Sequence, residues 1–246
     1  MPFNPSCRCT DKPGRHCVMF WSEADESREY VVPDNVMDVV FRVDCHKLPV
    51  DHAWELSRQV LEILPWIENE SGCGIHLVHG AESGNGWQRP ADHEHILLSR
   101  RTRFSIRVPK HRVEEASRLN GARLCVHGCE FIVGQASTRK LSDSNILFSR
   151  HVHQPDPLQS ENDFLQSCLE QLHKLDINTR KMMCGRVHHF TTPEASVFAR
   201  SLMLADLDIE QSVRLQEHGL GQHRAMGLGL FIPHRGIDAV YKKPED

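Results

Sequence analysis

The tightest constraint on this chain is the order in which its apolar periodicity changes. It runs strand, helix, strand, strand, helix, strand, and then repeats that order. Val36–Asp44 (VMDVVFRVD) reads as a strand, and Pro49-Val50-Asp51 opens a helix to about Glu68, with Asp51 placed to cap it. Leu56, Val60, Ile63, Leu64 and Ile67 fall on one face at helical spacing. Cys73–His79 is a short strand, followed by a loop with Gly84, Gly86 and Pro90. His95–Val108 is a long strand or hairpin arm, in which Thr102, Phe104, Ile106 and Val108 alternate with Arg101, Arg103, Ser105 and Arg107. Lys110–Asn120 is a short helix closed by Gly121, and Arg123–Gly134 is a strand pair or bent strand. In the second half Asn145–Val152 is a strand and Ser160–Leu175 a helix. Lys181–Thr191 and Val197–Ala205 are strands. Asp208–His218 is a helix with Asp208 and Gln211 spaced as a capping box, and Met226–Pro233 closes as a strand.

The repeated β-α-β-β-α-β order is the ferredoxin-like motif. The expected architecture is α+β, with two tandem ferredoxin-like units at residues 35–137 and 143–240 joined near 135–144, behind an arm at 1–34. A fused α/β sheet is the alternative. Neither fold assigns a function.

Charge is segregated beneath a net of −4: residues 51–98 carry 2 basic and 8 acidic side chains, 99–124 carry 8 and 2, and 178–243 carry 9 and 6. Folding can gather the two basic blocks into one patch that attracts a polyanion, because screening makes local charge outweigh the total. A solvated strand and helix face is the plainer reading. Nine cysteines is an odd count, and six of them (Cys45, Cys73, Cys125, Cys129, Cys168, Cys184) stand singly in apolar segments, as buried reduced thiols do. No stretch approaches the roughly 18 apolar residues of a membrane helix. The N-terminus MPFNPSCRCTDKPGRHC has no hydrophobic signal core, so a cytoplasmic protein is expected. Cys7, Cys9, His16 and Cys17 match no common zinc spacing, so neither metal nor cofactor is expected.

The most specific segment is Gly219-Leu220-Gly221, five residues, then Gly227-Leu228-Gly229. Glycine permits positive φ and close backbone approach, so such a loop can aim N–H groups at phosphate oxygens, with Arg224 adding a two-donor cation. A helix C-cap plus a kinked strand is the competing reading.

This glycine pattern, behind two ferredoxin-like units, resembles the CRISPR repeat-processing endoribonucleases of the RAMP superfamily (the Cas6 family). LPVDHAW (48–54), GCGIHLVHG (72–80), LSRRTRF (98–104), CGR (184–186), RSLMLADL (200–207), SVRLQEHGLG (212–221) and GLGLFIPH (227–234) resemble its MYXAN-subtype branch. The resemblance spans about residues 35–237 and implies cutting of precursor CRISPR RNA within its repeats, without metal. The RNA's own 2′-OH attacks the neighbouring phosphorus, leaving a 2′,3′-cyclic phosphate and a 5′-OH. A non-catalytic repeat-binding subunit of an effector complex is the alternative, and other effector subunits join the RNA as implied partners. The family's histidine at its first helix corresponds to His52, expected at the exposed end of the inner stripe, where a helix N-terminus keeps the imidazole neutral. His76 is its rival, and His46 and His79 also lie near. No tyrosine stands near this helix, so Lys47 or an arginine must stabilise the phosphorane. Arg100, Arg101, Arg103, Arg107 and Arg186 join Arg224 and the four glycines as expected RNA contacts.

Overall fold

The pleat of β1 (Val36–Asp44) turns Val39 and Phe41 to one side, where both are fully buried. A computed structural model describes residues 30–80 and 95–234, and within it β1 is the centre of a five-stranded antiparallel sheet. Along the chain come β2 (Lys47–Pro49), α1 (Ala53–Ile63), β3 (Gly74–Ile75), β4 (His95–Leu97), β5 (Arg103–Pro109), α2 (Val113–Ala116), β6 (Arg123–Val126) and β7 (Cys129–Lys140). The sheet order is β3-β5-β1-β7-β6, while β2 and β4 pair apart. Phe104, Ile106 and Val108 continue the apolar side, and Leu56 and Val60 of α1 pack on it in one cluster.

The second half repeats the plan. β8 (Leu147–Gln154), α3 (Glu161–His173), β9 (Lys181–Thr191), β10 (Ser196–Ala205), α4 (Ile209–His218) and β11 (Ile232–Pro233) follow in order. The sheet order is β11-β8-β10-β9, and Phe164, Cys168, Leu172 and Leu215 from its helices close a second core. The architecture is α+β, with antiparallel sheets consistent with duplicated ferredoxin-like domains. No helix among the described residues is long and apolar enough to cross a membrane.

A third cluster joins the halves: Ala53 of α1 meets Phe190, Ala199, Met226 and Leu228. Beside it Arg107, 1% exposed, donates to Asp38 through Nε at 2.8 Å and to the carbonyls of Gln216 and Phe231 at 2.8 and 3.0 Å. One guanidinium thus ties β1 to the end of α4 and the segment before β11.

Several boundaries depart from the pattern, each for a local reason. The first helix stops at Ile63 because Pro65 has no N–H and bars Leu64 (φ −126°, ψ 67°) from helical geometry, leaving a 3₁₀ turn at Pro65–Glu68. The long arm from His95 breaks between β4 and β5. There the Ser99 hydroxyl accepts from the Arg101 N–H at 3.2 Å, and the Thr102 hydroxyl accepts from the Ser99 N–H at 3.1 Å. The expected strand at Cys73–His79 pairs only over Gly74–Ile75. The closing strand shrinks to Ile232–Pro233, because Gly227 (φ +85°) and Gly229 (φ +70°) leave extended geometry. The capping box does not form, since Asp208 makes no side-chain cap bond. Of the six cysteines, only Cys73 and Cys168 are buried; Cys125 is exposed, standing between the inward Leu124 and Val126 on edge strand β6. The zinc-spacing residues Cys7, Cys9, His16 and Cys17, and Gly84, Gly86 and Pro90, lie outside the described residues.

The buried pair sets a stability prediction. Burial raises the Asp38 carboxyl, but Arg107 and His76 outweigh it and hold the group well below the usual aspartate range. A depressed folded pKa stabilises above the unfolded value and fades as pH falls toward the folded one. In urea titrations, Arg107→Ala is expected to cost about 3–5 kcal/mol, because Asp38 loses its buried partner and keeps only the exposed Arg139. The wild type is expected to lose stability progressively below about pH 4.

Candidate functional site

The start of α1 is held by contacts rather than by a cap. Asp51 Oδ2 accepts from the Thr191 N–H at 2.9 Å, at the end of β9, instead of capping its own helix. His52 occupies the N-cap position and is 2% exposed. Its Nε2 accepts from the Val78 N–H at 3.2 Å, so Nδ1 carries the proton and donates to Pro49 O at 2.8 Å. This corrects the expectation of an exposed base: the ring is enclosed, and its Nε2 lone pair is held by a backbone donor inside the fold. His52 instead pins the Pro49-Val50 turn to the segment leading to His79.

His76 is drawn elsewhere. Its Nε2 lies 3.5 Å from Asp38 Oδ1, over the Arg107 pair, and burial lowers its pKa against the raising effect of Asp38. His76 and His79 therefore do not share a face. His79 lines a groove of about 280 Å³ with Leu77, Gly80, Arg101, Thr102 and Arg103. Arg101 and Arg103 are exposed, and Arg103 Nη1 donates to the carbonyls of Arg100 and Thr102, which sets the loop's outward course. Behind the groove the His79 ring lies 6.2 Å from His151, which meets His188 and Phe190 edge-on at 5.6 and 4.9 Å. Two segments of the N-terminal half, 77–80 and 99–103, thus place a histidine and two arginines around one concavity. The sequence reading noted His79 only as a neighbour, and nothing in sequence spacing linked it to His151 or His188.

Half of the basic block is consumed by pairing. Arg107 is buried against Asp38, which removes it from the expected RNA contacts. Lys110, Arg112 and Arg123 pair with Asp34, Glu70 and Glu130. Arg100 stays exposed beside the groove, Lys47 is exposed on β2, and Arg186 is exposed on β9. Among the described residues no three His, Cys, Asp or Glu side chains are grouped to hold a metal ion.

A family model described as "Cas6 Crispr" matches residues 37–236. The chain belongs to the Cas6 family. A CRISPR-associated endonuclease Cas6 of Myxococcus xanthus (strain DK1622) is 29% identical over 198 residues, 80% of this chain and 81% of that protein. The fold is shared with a solved structure titled "CRISPR associated protein Cas6" (TM-score 0.56, 12% identity, 81% of this chain, 100% of the other). It is shared equally with "An RAMP protein binding different RNA substrates" (TM-score 0.55, 12% identity, 81% and 100%).

In this member of the Cas6 family the glycine segment is a packing device. A Cβ at Gly227 would stand 2.5 Å from Leu77 Cγ and 3.0 Å from the Ile75 carbonyl, so glycine lets the segment lie against β3 and the residues leading to His79. Leu220 N–H donates to Gly229 O at 3.0 Å, and Gly229 N–H donates to His151 O at 2.6 Å. These donors are spent inside the fold and do not face a phosphate. Arg224 likewise turns inward: its guanidinium donates to the carbonyls of Glu217 and His218, capping α4, and burial lowers its pKa to about 10. That corrects its expected role as a phosphate ligand. A larger cavity, about 650 Å³ and lined by Trp54, Arg58, Glu70, Cys73 and Met226, lies between α1 and this segment. Its Glu70 is paired with Arg112, and its Arg58 with Glu55 and Glu62, while His218, His223 and Arg224 complete its lining.

Gly229→Ala and Gly128→Ala separate packing from conformation. Both positions have positive φ (+70° and +77°), but only at Gly229 does a Cβ meet backbone, at the Leu220 carbonyl; at Gly128 nothing lies within 4 Å. Thermal unfolding is expected to show a cost of about 1–2 kcal/mol for Gly128→Ala. Gly229→Ala is expected to cost severalfold more.

Proposed function

We propose that this chain is a metal-independent endoribonuclease that cuts precursor CRISPR RNA within its repeats, of the MYXAN-subtype branch and working in the cytoplasm. Its two halves act as tandem βαββαβ units, at 35–137 and 143–240. The observation that carries the reading is the groove where His79, whose ring adjoins His151 of the other half, stands with Arg101 and Arg103. Family membership and the endonuclease named among the relatives support the reaction class.

The chemistry follows from what RNA itself supplies. The nucleophile is the 2′-OH adjacent to the scissile phosphate, so the protein must orient, move protons and stabilise charge. His79, in this reading, takes the 2′-OH proton as that oxygen bonds to phosphorus. The P–O5′ bond breaks, the 5′ oxygen takes up a proton, and a 2′,3′-cyclic phosphate remains. Arg101 and Arg103 face the equatorial oxygens, with donor geometry suited to phosphate and no tyrosine required. Arg100, Lys47 and Arg186 supply affinity through the RNA backbone. His52 is a positioning residue: its bonds to Pro49 and Val78 set the course of the segment ending at His79. Other effector subunits are further partners.

The decisive experiment is single-turnover cleavage of the host's repeat RNA in EDTA, with a 2′-deoxy control at the cut site. His79→Ala is expected to lose about 10²–10⁴-fold in rate. His76→Ala is expected to keep most of its rate, and His52→Ala to lose activity together with thermal stability. The wild-type rate should fall on acidification through the histidine range, near pH 6.5 for an unperturbed imidazole, because only the neutral ring accepts a proton. Cutting of the deoxy substrate, or a requirement for added divalent ion, refutes the mechanism. Tight hairpin binding without cutting by wild type makes the chain a repeat-binding subunit.

A further inference from the structure

The face of the C-terminal sheet turned away from α3 and α4 carries a row of apolar side chains outside both cores. Leu147, Leu204 and Met182 stand in register across β8, β10 and β9 and pack toward the helices. One residue along, the pleat turns Phe148, Met203 and Met183 to the opposite face, again in register, and Ile232 of β11 extends the row. Met183 is 55% exposed, although it lies within an eleven-residue strand. The His234 ring lies 5.6 Å from Phe148, and Arg150 Cζ lies 5.9 Å from the same ring. The next position is flat: Ser201 faces Gly185, where any Cβ would collide with the serine hydroxyl.

None of these side chains is acidic. The face therefore offers an aromatic ring, two thioethers and a guanidinium over a low floor. Flat apolar rings linked by anionic groups match that pattern. In duplex RNA the bases are stacked on one another, so only a single strand can present them. The face is also continuous with the groove. β8 runs from Phe148 through Arg150 to His151, three residues or about 10 Å at strand rise; a register shift there sets Arg150 and His151 together opposite Ser201, and His151 adjoins His79.

We propose that this face is a stacking platform for the single-stranded RNA flanking the cut. Bases rest on Phe148, Met183 and Met203, and the backbone runs past Arg150. This rests on the reading of the His79 groove as the cleavage site, and the test separates the two. Affinities are measured with uncleavable 2′-deoxy versions of two RNAs: the repeat hairpin alone, and the hairpin with its single-stranded flank on the side of the cut. Wild type is expected to bind the flanked RNA about tenfold more tightly, the scale of one stacked base. Met183→Glu, at an exposed position, is expected to erase that difference while binding the bare hairpin as wild type does. Phe148→Tyr, which keeps a ring, should preserve it. Equal wild-type affinity for the two RNAs overturns the platform, as does a Met183→Glu loss shared equally by both. If cutting depends on His79 while binding ignores the flank, the platform alone fails. If the flank matters but His79→Ala still cuts, the groove assignment alone fails. Absence of binding to either RNA removes both.

Discussion

The guanidinium of Arg107 is the contact on which the relative arrangement of the two halves depends. Burying a charge costs several kcal/mol unless every donor finds an acceptor. Here the acceptors come from both halves: the Asp38 carboxylate on β1 and the carbonyls of Gln216 and Phe231. Those carbonyls flank the glycine segment. The charge is thus satisfied only when the segment lies across β3. Glycine makes that approach sterically possible, since a side chain at Gly227 would run into Leu77 and the Ile75 carbonyl, while one at Gly229 would collide with Leu220 within the segment itself. An electrostatic demand and a steric permission act at the same seam.

The seam also sorts the histidines into different environments. His52 is closed in by backbone groups and keeps one tautomer. His76 is absorbed by the Asp38 pair. His79 emerges at the groove with arginines from the β4–β5 connection, backed by His151 and His188 from the other half. The proposed reaction, whose nucleophile belongs to the substrate, asks for this little: one base, nearby cations, and a surface that holds the strand. The open face of the C-terminal sheet extends from that point.

Much of the fold was readable from periodicity. β1 and β9 match their sequence limits, and β10 and α4 do so to within one residue, because their apolar faces are regular and their ends carry turn chemistry. Misreadings fell where local chemistry interrupts a long pattern: Pro65 after α1, Ser99 and Thr102 between β4 and β5, and the positive-φ glycines before β11. The site was less readable. Arg107 alternated with apolar residues as Arg101 and Arg103 do, and from sequence its charge looked as exposed as theirs. Its acceptors lie 69, 109 and 124 residues away, beyond any local pattern.

By itself the sequence determined the kinds and order of the elements, since strand and helix periodicities are local properties of side-chain direction. It also determined the family, through motifs spread over most of the chain. Only the tertiary structure decided where each charged and titratable group stands. Burial and pairing are set by residues far apart in the chain: they enclosed His52, Arg107 and Arg224, and left His79, Arg101 and Arg103 at an open groove.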